Sequence, residues 1–222
     1  EGLTKPYYLD EASYWAALNL GVRVGEQVLD LCAAPGGKTL VLATQLEGEG
    51  LLIANDRSRA RRARLIRVID EYLPEHLRRI VSVKGFDAAS WCRREQEAYD
   101  RILLDAPCSS ERHVLHSQVY LSQWSEARTR HLAQSAFAML TSAFLLLRKG
   151  GTLLYSTCAL SPLENDGVLE QFLTRRGDSC EILPVSAACG EATRYGFQVW
   201  PDTASGRGPI YFSKIRRKEG ED

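Results

Sequence analysis

Short apolar runs alternate with longer stretches of helical periodicity along most of the chain. The runs have the length of buried strands and end in small or polar residues. They cover residues 28–31, 51–55, 80–83, 99–104 and 152–157. Helical patterns occupy residues 7–20, 58–73 and 126–147, and two further helices are predicted to start at Lys38 and near Ser161. This alternation predicts an α/β fold with a Rossmann-like, mostly parallel twisted sheet and helices on both faces.

Capping residues and apolar faces predict where these helices begin and which side they bury. Asp10 is the expected N-cap of the first helix, and Gly21 follows its end. The expected buried face of the helix at residues 58–73 carries Ala63, Ile66, Ile69 and Leu73. The sequence Ser161-Pro162-Leu163-Glu164 has the form of a capping box, which predicts a helix with Ser161 as its N-cap.

The end of the chain predicts two more strands, at residues 181–185 and 209–215. The second alternates apolar and polar residues, so we expect an antiparallel pair at the sheet edge. At 222 residues, the chain is predicted to form a single domain, 1–222. Within it, residues 1–20 form a lead-in helix, residues 28–215 the core, and residues 216–222 a tail with basic and acidic side chains.

A glycine turn joins the first strand to the next helix. Residues 28–39 read Val-Leu-Asp-Leu-Cys-Ala-Ala-Pro-Gly-Gly-Lys-Thr. Glycines in such a turn let a ligand approach the backbone, and N–H groups at the helix start would face it. The spacing is neither G-x-G-x-x-G nor that of a phosphate loop. The turn therefore predicts a cofactor site for a nucleotide-like ligand that lacks a pyrophosphate.

Acidic residues stand at the ends of four predicted strands: Asp30, Asp56, Asp87 and Asp105. Asp56 follows Gly36 by twenty positions, the separation at which a carboxylate binds ribose hydroxyls. It could instead only cap the helix from Ser58. Asp87 could accept hydrogen bonds from the exocyclic amine of an adenine, or it could be a turn residue. Since ligands of doubly wound sheets bind outside the carboxyl ends of the strands, we expect these side chains at one site.

Two cysteines, Cys108 and Cys158, also follow strand ends. A thiolate beside a nucleoside site could add to carbon 6 of a pyrimidine, which makes carbon 5 nucleophilic enough to take a methyl group. The base must leave its stack to be reached. Asp105 could select cytosine at ring N3 and the exocyclic amine. The second thiol, or a water that it positions, could help to remove the carbon 5 proton. Spacing alone does not choose between the two thiols.

Composition limits the partners of the chain. The formal net charge is zero, so no global field draws the protein to a polyanion. Arginines crowd residues 57–67, which fits a solvated helix face at least as well as an RNA path. The six scattered cysteines lack paired C-x-x-C spacing, which predicts a reducing, cytoplasmic environment. No apolar stretch predicts a membrane span.

Three segments resemble the signature motifs of the RNA 5-methylcytosine methyltransferases, the Sun or RsmB-like family. They are residues 30–39, the sequence Asp105-Ala-Pro-Cys-Ser109, and Ser156-Thr-Cys-Ala-Leu-Ser161, which closes with Glu164-Asn165. The resemblance implies a class I methyltransferase fold with S-adenosylmethionine as cofactor. The positions that it assigns to the cofactor are Cys32, Ala33, Ala34, Pro35, Gly36, Gly37, Lys38, Asp56, Asp87 and Asp105. No metal is implied.

The same resemblance assigns roles to the two thiols. The family nucleophile is the cysteine of the Thr-Cys pair, here Cys158, while Cys108 assists product release and Asp105 acts on the base. Residues 109–116 replace the usual Ser-Gly-x-Gly turn and look like the mitochondrial ribosomal-RNA branch. The expected substrate is therefore cytosine in a structured RNA, with ribosomal RNA as the expected class, and the expected location is mitochondrial if the source is eukaryotic. An accessory RNA-binding protein or an N-terminal domain outside this sequence is expected to add affinity.

Four alternatives stay open at the level of sequence. The chain could modify transfer RNA, or methylate a small molecule or protein without either thiol. It could also be a non-catalytic RNA-binding assembly factor, although Asp105, Cys108 and Cys158 would then have no purpose. A metal site from Cys108, His113, His116 and Cys158 has a spacing outside the usual zinc patterns.

Overall fold

The computed structural model describes residues 2–110 and 125–220. Its helices are α1 (Glu11–Asn19), α2 (Gly37–Gln45), α3 (Arg59–Tyr72), α4 (Glu75–Arg78), α5 (Glu126–Leu146) and α6 (Asp166–Arg176). Its strands are β1 (Gln27–Asp30), β2 (Leu51–Asn55), β3 (Val81–Lys84), β4 (Tyr99–Asp105), β5 (Leu147–Thr157), β6 (Cys180–Leu183), β7 (Glu191–Ala192), β8 (Phe197–Val199) and β9 (Ile210–Arg217). Short 3₁₀ turns lie at Trp91–Arg93 and Gly177–Ser179.

These strands form one sheet in the order β3-β2-β1-β4-β5-β9-β8-β7, with β6 also paired to β9. Strands β1 to β5 pair in parallel, as predicted. Strand β9 is antiparallel to β5, but it is not an edge strand because β6 and β8 pair with its other side. The short strands β7 and β8 were not expected.

Alternation along the strands gives the sheet two buried faces. Val28, Leu103 and Leu154 belong to one core cluster with residues of α1, α2 and α3. Leu29 and Ile102 belong to the other, with residues of α5 and α6. Burying each such side chain contributes about 1.5–3 kcal/mol. Helices therefore cover both faces of the sheet, as the sequence predicted.

Two helices differ from the prediction in detail. On α3 the buried residues are Leu65 and Ile69, whereas Ile66 is 44% exposed. The helix is turned so that Leu65 packs towards Gly36. Helix α5 ends at Leu146 because Leu147 is already extended and pairs with Tyr99 of β4.

Helix α6 begins at Asp166, with Asn165 rather than Ser161 as its N-cap residue. Residues 162–165 form a turn instead of the first helical turn. The predicted capping box is wrong because the Glu164 side chain is buried and accepts a hydrogen bond from the backbone N–H of Ser109 at 2.9 Å. This contact joins α6 to the segment that follows β4.

Candidate functional site

The glycine turn lies between β1 and α2, as predicted. Gly36 has φ 122, a value that favours glycine. A Cβ at Gly36 would lie 3.0 Å from Val68, and one at Gly37 would lie 2.7 Å from Leu9. The sequence indicated that these glycines make room for a ligand. In the structure the neighbouring space on both is filled by protein, so the glycines also allow α3 and the N-terminal segment to pack closely.

A cleft of about 370 Å³ opens beside this turn. Its volume falls within the usual range for small-molecule sites. The lining combines carboxylates, arginines and apolar side chains from the end of β2, from α3 and α5, and from the segments after β1, β2, β3 and β4. These residues are Leu31, Cys32, Asn55, Asp56, Arg57, Ser58, Arg61, Phe86, Asp87, Ala88, Ala89, Pro107, Ser135 and Met139.

Asp56 occupies the end of β2 at the wall of the cleft, with a side chain only 4% exposed. Its Oδ1 accepts a hydrogen bond from the backbone N–H of Ser58 at 2.9 Å, whereas Ser58 itself is the N-cap of α3. Its Oδ2 makes no hydrogen bond, although Arg61 Nη2 lies 3.4 Å away. Asp56 is thus not the N-cap of α3, and it lines the cleft with a carboxylate whose Oδ2 is buried.

Asp87 and Cys32 lie in the same cleft with different exposure. The Asp87 side chain is 47% exposed and lies 3.7 Å from Arg57 Nη1, while its Oδ1 accepts from the backbone N–H of Ala89. Cys32 is half-buried. Burial and nearby carboxylates raise the pKa of its thiol, which keeps it neutral. Cys32 therefore contributes shape to the cleft rather than a nucleophile.

Asp30, the last residue of β1, is hydrogen-bonded to the first turn of α2. It is buried and accepts a hydrogen bond from the Thr39 hydroxyl at 2.7 Å. Its other oxygen has no hydrogen-bond partner. Burial raises the pKa of this carboxyl to about 7, and the Thr39 hydrogen bond only partly offsets that rise. Asp30 is therefore a candidate for a carboxyl that is protonated in the folded protein near neutral pH.

Lys38 and Ser156 hold both oxygens of Asp105. The Lys38 ammonium lies 2.8 Å from Asp105 Oδ2, and the Ser156 hydroxyl donates to Oδ1 at 2.8 Å. Burial lowers the pKa of Lys38, but the charge of Asp105 and this hydrogen bond outweigh it and leave the pKa raised. Lys38 is thus a charged group directed at Asp105. Sequence reasoning missed Ser156, whose only signal was its place two residues before Cys158.

The two predicted thiols meet at the ends of β4 and β5. Their sulfur atoms lie 2.8 Å apart, and both cysteines are free. A hydrogen bond from Cys108 lowers the pKa of Cys158, with further lowering from Ser110 and Lys38. The same hydrogen bond, together with burial, raises the pKa of Cys108. Cys158 is the more exposed of the two thiols, and it has the Ser110 hydroxyl at 3.2 Å and the positive charge of Lys38 nearby. These surroundings suit a Cys158 thiolate beside a protonated Cys108.

Glu164 and Asn165 anchor the two cysteine segments to the start of α6. Glu164 accepts from both the backbone N–H and the hydroxyl of Ser109, next to Cys108. Asn165 accepts from the Thr157 hydroxyl at 2.6 Å and donates to the Ala159 carbonyl at 3.1 Å, on either side of Cys158. Adjacent residues thus fix both thiols relative to one helix.

Some sequence predictions concern residues that the structure does not describe. His113 and His116, named for a metal site, lie in residues 111–124, outside the described ranges. Among residues 2–110 and 125–220, no group of three or more His, Cys, Asp or Glu side chains is arranged to hold a metal ion. Within the same ranges, none of the helices has the length and apolar character needed to cross a membrane.

A family model and individual protein sequences both match most of this chain. A family model described as "16S rRNA methyltransferase RsmB/F" matches residues 17–216. The chain is 42% identical to the 5-cytosine rRNA methyltransferase NSUN4 of Bos taurus over 97% of its own length and 60% of that protein. It is 33% identical to a mitochondrial tRNA (cytosine(34)-C(5))-methyltransferase of Mus musculus, over 99% of its length and 67% of that protein.

A solved structure shares the fold. The crystal structure of NSun6 from Pyrococcus horikoshii with SFG superimposes with a TM-score of 0.81 at 27% identity, over 96% of this chain and 53% of that one. The likeness confirms the predicted fold of the class I methyltransferases. Since the family model covers most of the chain and relatives exceed 30% identity, the chain belongs to the 16S rRNA methyltransferase RsmB/F family.

Proposed function

We propose that this chain is the catalytic domain of an S-adenosylmethionine-dependent RNA cytosine-5 methyltransferase that acts on ribosomal RNA. The observation that carries the proposal is the thiol pair. Cys158 and Cys108 lie 2.8 Å apart, beside an Asp105 whose two oxygens are held by Lys38 and Ser156. A methyltransferase that acts on a more reactive atom would need neither thiol.

The cleft suits an adenosyl cofactor. The buried Asp56 oxygen without a hydrogen bond is placed to accept from ribose hydroxyls, and Asp87 at the rim is placed to accept from the adenine amine. Phe86 and Met139 offer apolar surface to a base. The turn from Cys32 to Gly37 completes the proposed cofactor site. When bound, the cofactor supplies the methyl group that cytosine receives.

Cys158 is the proposed nucleophile. Its thiolate adds to carbon 6 of the cytosine, forming a C–S bond while the ring electrons shift to carbon 5. Its lowered pKa makes the attacking thiolate available, because the Cys108 thiol donates to it and Lys38 adds positive charge nearby. The exposure of Cys158 leaves its sulfur accessible to a base that has left its stack.

Asp105 is the proposed group that selects cytosine. Lys38 and Ser156 fix its orientation through one contact on each oxygen. Each oxygen keeps a second lone pair. One can accept from the exocyclic amine of cytosine, and the other can join ring N3, itself an acceptor, through a proton shared between them as negative charge develops on the ring. A carboxyl held this way is organised before the substrate arrives, which is the condition for effective stabilisation of charge on the ring. Lys38, expected at the cofactor, is therefore assigned instead to the orientation of Asp105.

Cys108 is the proposed release group. After methyl transfer, carbon 5 loses its proton to a base, the carbon 5–carbon 6 double bond reforms, and the C–S bond breaks to return the Cys158 thiolate. Cys108, or a water that it positions, is placed to take part because its sulfur lies next to that bond. Its raised pKa supports a role as a protonated neighbour of the leaving thiolate.

Ribosomal RNA is the proposed substrate because the matching family model describes 16S rRNA methyltransferases. The two relatives from Mus musculus agree with that order by a small margin, with 36% identity to NSUN4 and 33% to the mitochondrial tRNA enzyme. That tRNA enzyme matches 99% of the chain, which makes tRNA the second candidate. The chain spans 60% of NSUN4, so an accessory protein or a further domain is part of the proposal. A mitochondrial location, if the source is eukaryotic, is proposed on the same likeness.

The test is methyl transfer from tritiated S-adenosylmethionine to unmodified small-subunit rRNA and, separately, to tRNA. We expect label in rRNA with the native protein and only background with Cys158→Ala. With Cys108→Ala we expect an RNA–protein adduct that survives denaturant, because the covalent intermediate forms and does not resolve. Bisulfite sequencing then locates the modified cytosine.

Cys189→Ala is the matched control, since Cys189 is also half-buried but is not part of the thiol pair. It should methylate like the native protein. Cofactor binding by calorimetry must be native-like in all three variants for the comparison to hold. Methylation by Cys158→Ala would refute the assigned mechanism, and label in tRNA but not in rRNA would replace the substrate.

A further inference from the structure

Ser110 lies within reach of both thiols. Its hydroxyl is 3.2 Å from the Cys158 sulfur and 3.7 Å from the Cys108 sulfur. No pattern in the sequence assigns a role to this serine, which is two residues beyond Cys108. The mechanism proposed above assigns it no role.

The backbone of Ser110 adopts a conformation that serine disfavours. Its φ is 54, in the left-handed region where a side chain costs free energy relative to glycine. A glycine would be more stable at such a position unless the side chain contributes something. Non-glycine residues held in this region are found at functional sites more often than elsewhere.

The hydroxyl has one hydrogen to donate and three nearby acceptors, of which the Cys108 sulfur is the farthest, at 3.7 Å. The Cys108 carbonyl lies at 3.5 Å, near the limit for an O–H···O hydrogen bond. The Cys158 sulfur is closer, at 3.2 Å, although sulfur is the larger atom. A thiolate is also the stronger acceptor, because hydrogen bonds to charged groups are stronger than those between neutral groups. The geometry therefore favours donation to Cys158.

From this geometry we infer that Ser110 is a catalytic residue whose hydroxyl donates a second hydrogen bond to the Cys158 thiolate, beside the one from Cys108. The inference rests on the proposed function. The hydroxyl holds the thiolate before attack. It stabilises the same thiolate when the C–S bond breaks, the base regains its double bond and the sulfur takes the bonding electron pair. The lowered pKa of Cys158, to which Ser110 contributes, agrees with this role.

The test measures the reactivity of Cys158 without RNA and without turnover. Iodoacetamide alkylation of Cys158 is followed by peptide mass spectrometry from about pH 5 to about pH 10, across the range in which thiols ionise. In Ser110→Ala and Ser110→Gly we expect half-maximal alkylation at a pH about one unit higher than in the native protein, because one donor to the thiolate is lost. Ser110→Thr keeps the hydroxyl and should stay near the native profile.

Ser205 provides a matched control. It is an exposed serine with the same φ of 54, on the loop before β9. Ser205→Gly should leave the alkylation profile unchanged. Thermal melting and cofactor binding of each variant show that it is folded.

Two outcomes would overturn the inference. If both Ser110→Ala and Ser110→Gly alkylate at the native pH, the hydroxyl does not stabilise the thiolate. If only Ser110→Ala differs, backbone strain and not the hydroxyl sets the reactivity. Alkylation needs no RNA, so an unchanged alkylation profile in the Ser110 variants would refute only the role of Ser110. A failure of the native protein to methylate RNA would instead bear on the proposed function alone.

Discussion

Individual side chains at this site differ mainly in how far each is removed from water. Asp30 and Asp105 are the last residues of β1 and β4, and Asp56 and Asp87 lie just beyond β2 and β3, as the sequence predicted. Of the two that line the cleft, Asp87 is 47% exposed and Asp56 only 4%. Position in sequence gives the edge of the sheet on which a carboxylate lies. It does not give burial or partners, which depend on residues distant in sequence, such as Lys38 for Asp105.

Asp30 allows a test of this burial through pH. Its folded-state pKa is raised to about 7 from 3.8. The stabilising effect of a protonated carboxyl is fully present below the unfolded pKa and is lost as pH rises through the folded pKa. Asp30→Asn stays neutral and keeps an acceptor for Thr39. We therefore expect the unfolding free energy of the variant to rise relative to the native protein by on the order of 2–3 kcal/mol between about pH 5 and about pH 8.

Urea denaturation at both pH values measures this difference. Asp70→Asn is the control, because Asp70 lies on α3 with a side chain 52% exposed. That variant should follow the native protein at both pH values. A parallel pH dependence of Asp30→Asn and the native protein would show that Asp30 is ionised in the folded state.

Among the strands and helices, the sequence predicted an element correctly where its apolar run was long enough to be distinguished from a loop. Strands β1 to β4 agree with the predicted runs to within one or two residues at each end. Strands β7 and β8, at two and three residues, carry too little pattern. The start of α6 was misplaced because its capping pattern is local, whereas the Glu164 carboxylate bonds across the fold to Ser109. Because Ser109 and Glu164 are far apart in sequence, no local pattern predicts that this hydrogen bond connects the Cys108 segment to α6.

Glu164→Gln tests whether α6 holds the Cys108 segment. An amide keeps one acceptor oxygen but faces one of the two Ser109 donors with an NH₂ group. We expect a loss of about 1–3 kcal/mol in unfolding free energy. We also expect the denaturant-stable RNA adduct to accumulate, since a displaced Cys108 slows release more than attack.

Adduct levels on denaturing gels and the urea midpoint check both effects. Glu170→Gln on the same helix is the control, because its pair with Arg194 is exposed and contributes little. If Glu164→Gln loses stability but no RNA adduct accumulates, the role of Glu164 is structural only.

Across the whole molecule, strand order explains why the cofactor cleft and the thiols are neighbours. The connections reverse direction between β1 and β4, and ligands of such sheets bind at that point. The cleft draws on segments after β1, β2, β3 and β4, while the thiols follow β4 and β5. Strand β9 runs antiparallel, so its first residues lie at this edge, with Tyr211 opposite Thr157, and Arg216 lies towards the other.

Ion pairs occupy cations at this edge of the sheet. Net charge is zero, and in the described part of the chain two cations at or near this edge are paired, Lys38 with Asp105 and Arg207 with Glu11. Because phosphate contacts supply most RNA affinity, we expect the isolated chain to bind its RNA no more tightly than about 1 µM at about 0.15 M salt.

Glu11→Gln frees Arg207 near the start of β9 and should tighten binding by about threefold, with a steeper salt dependence. Glu181→Gln adds the same charge by freeing Arg216 at the far end of β9 and should leave binding unchanged. Fluorescence anisotropy with one labelled rRNA fragment compares the three proteins. Equal gains in both variants would mean that RNA responds to net charge alone, and a gain only in Glu181→Gln would move the RNA to the opposite edge of the sheet.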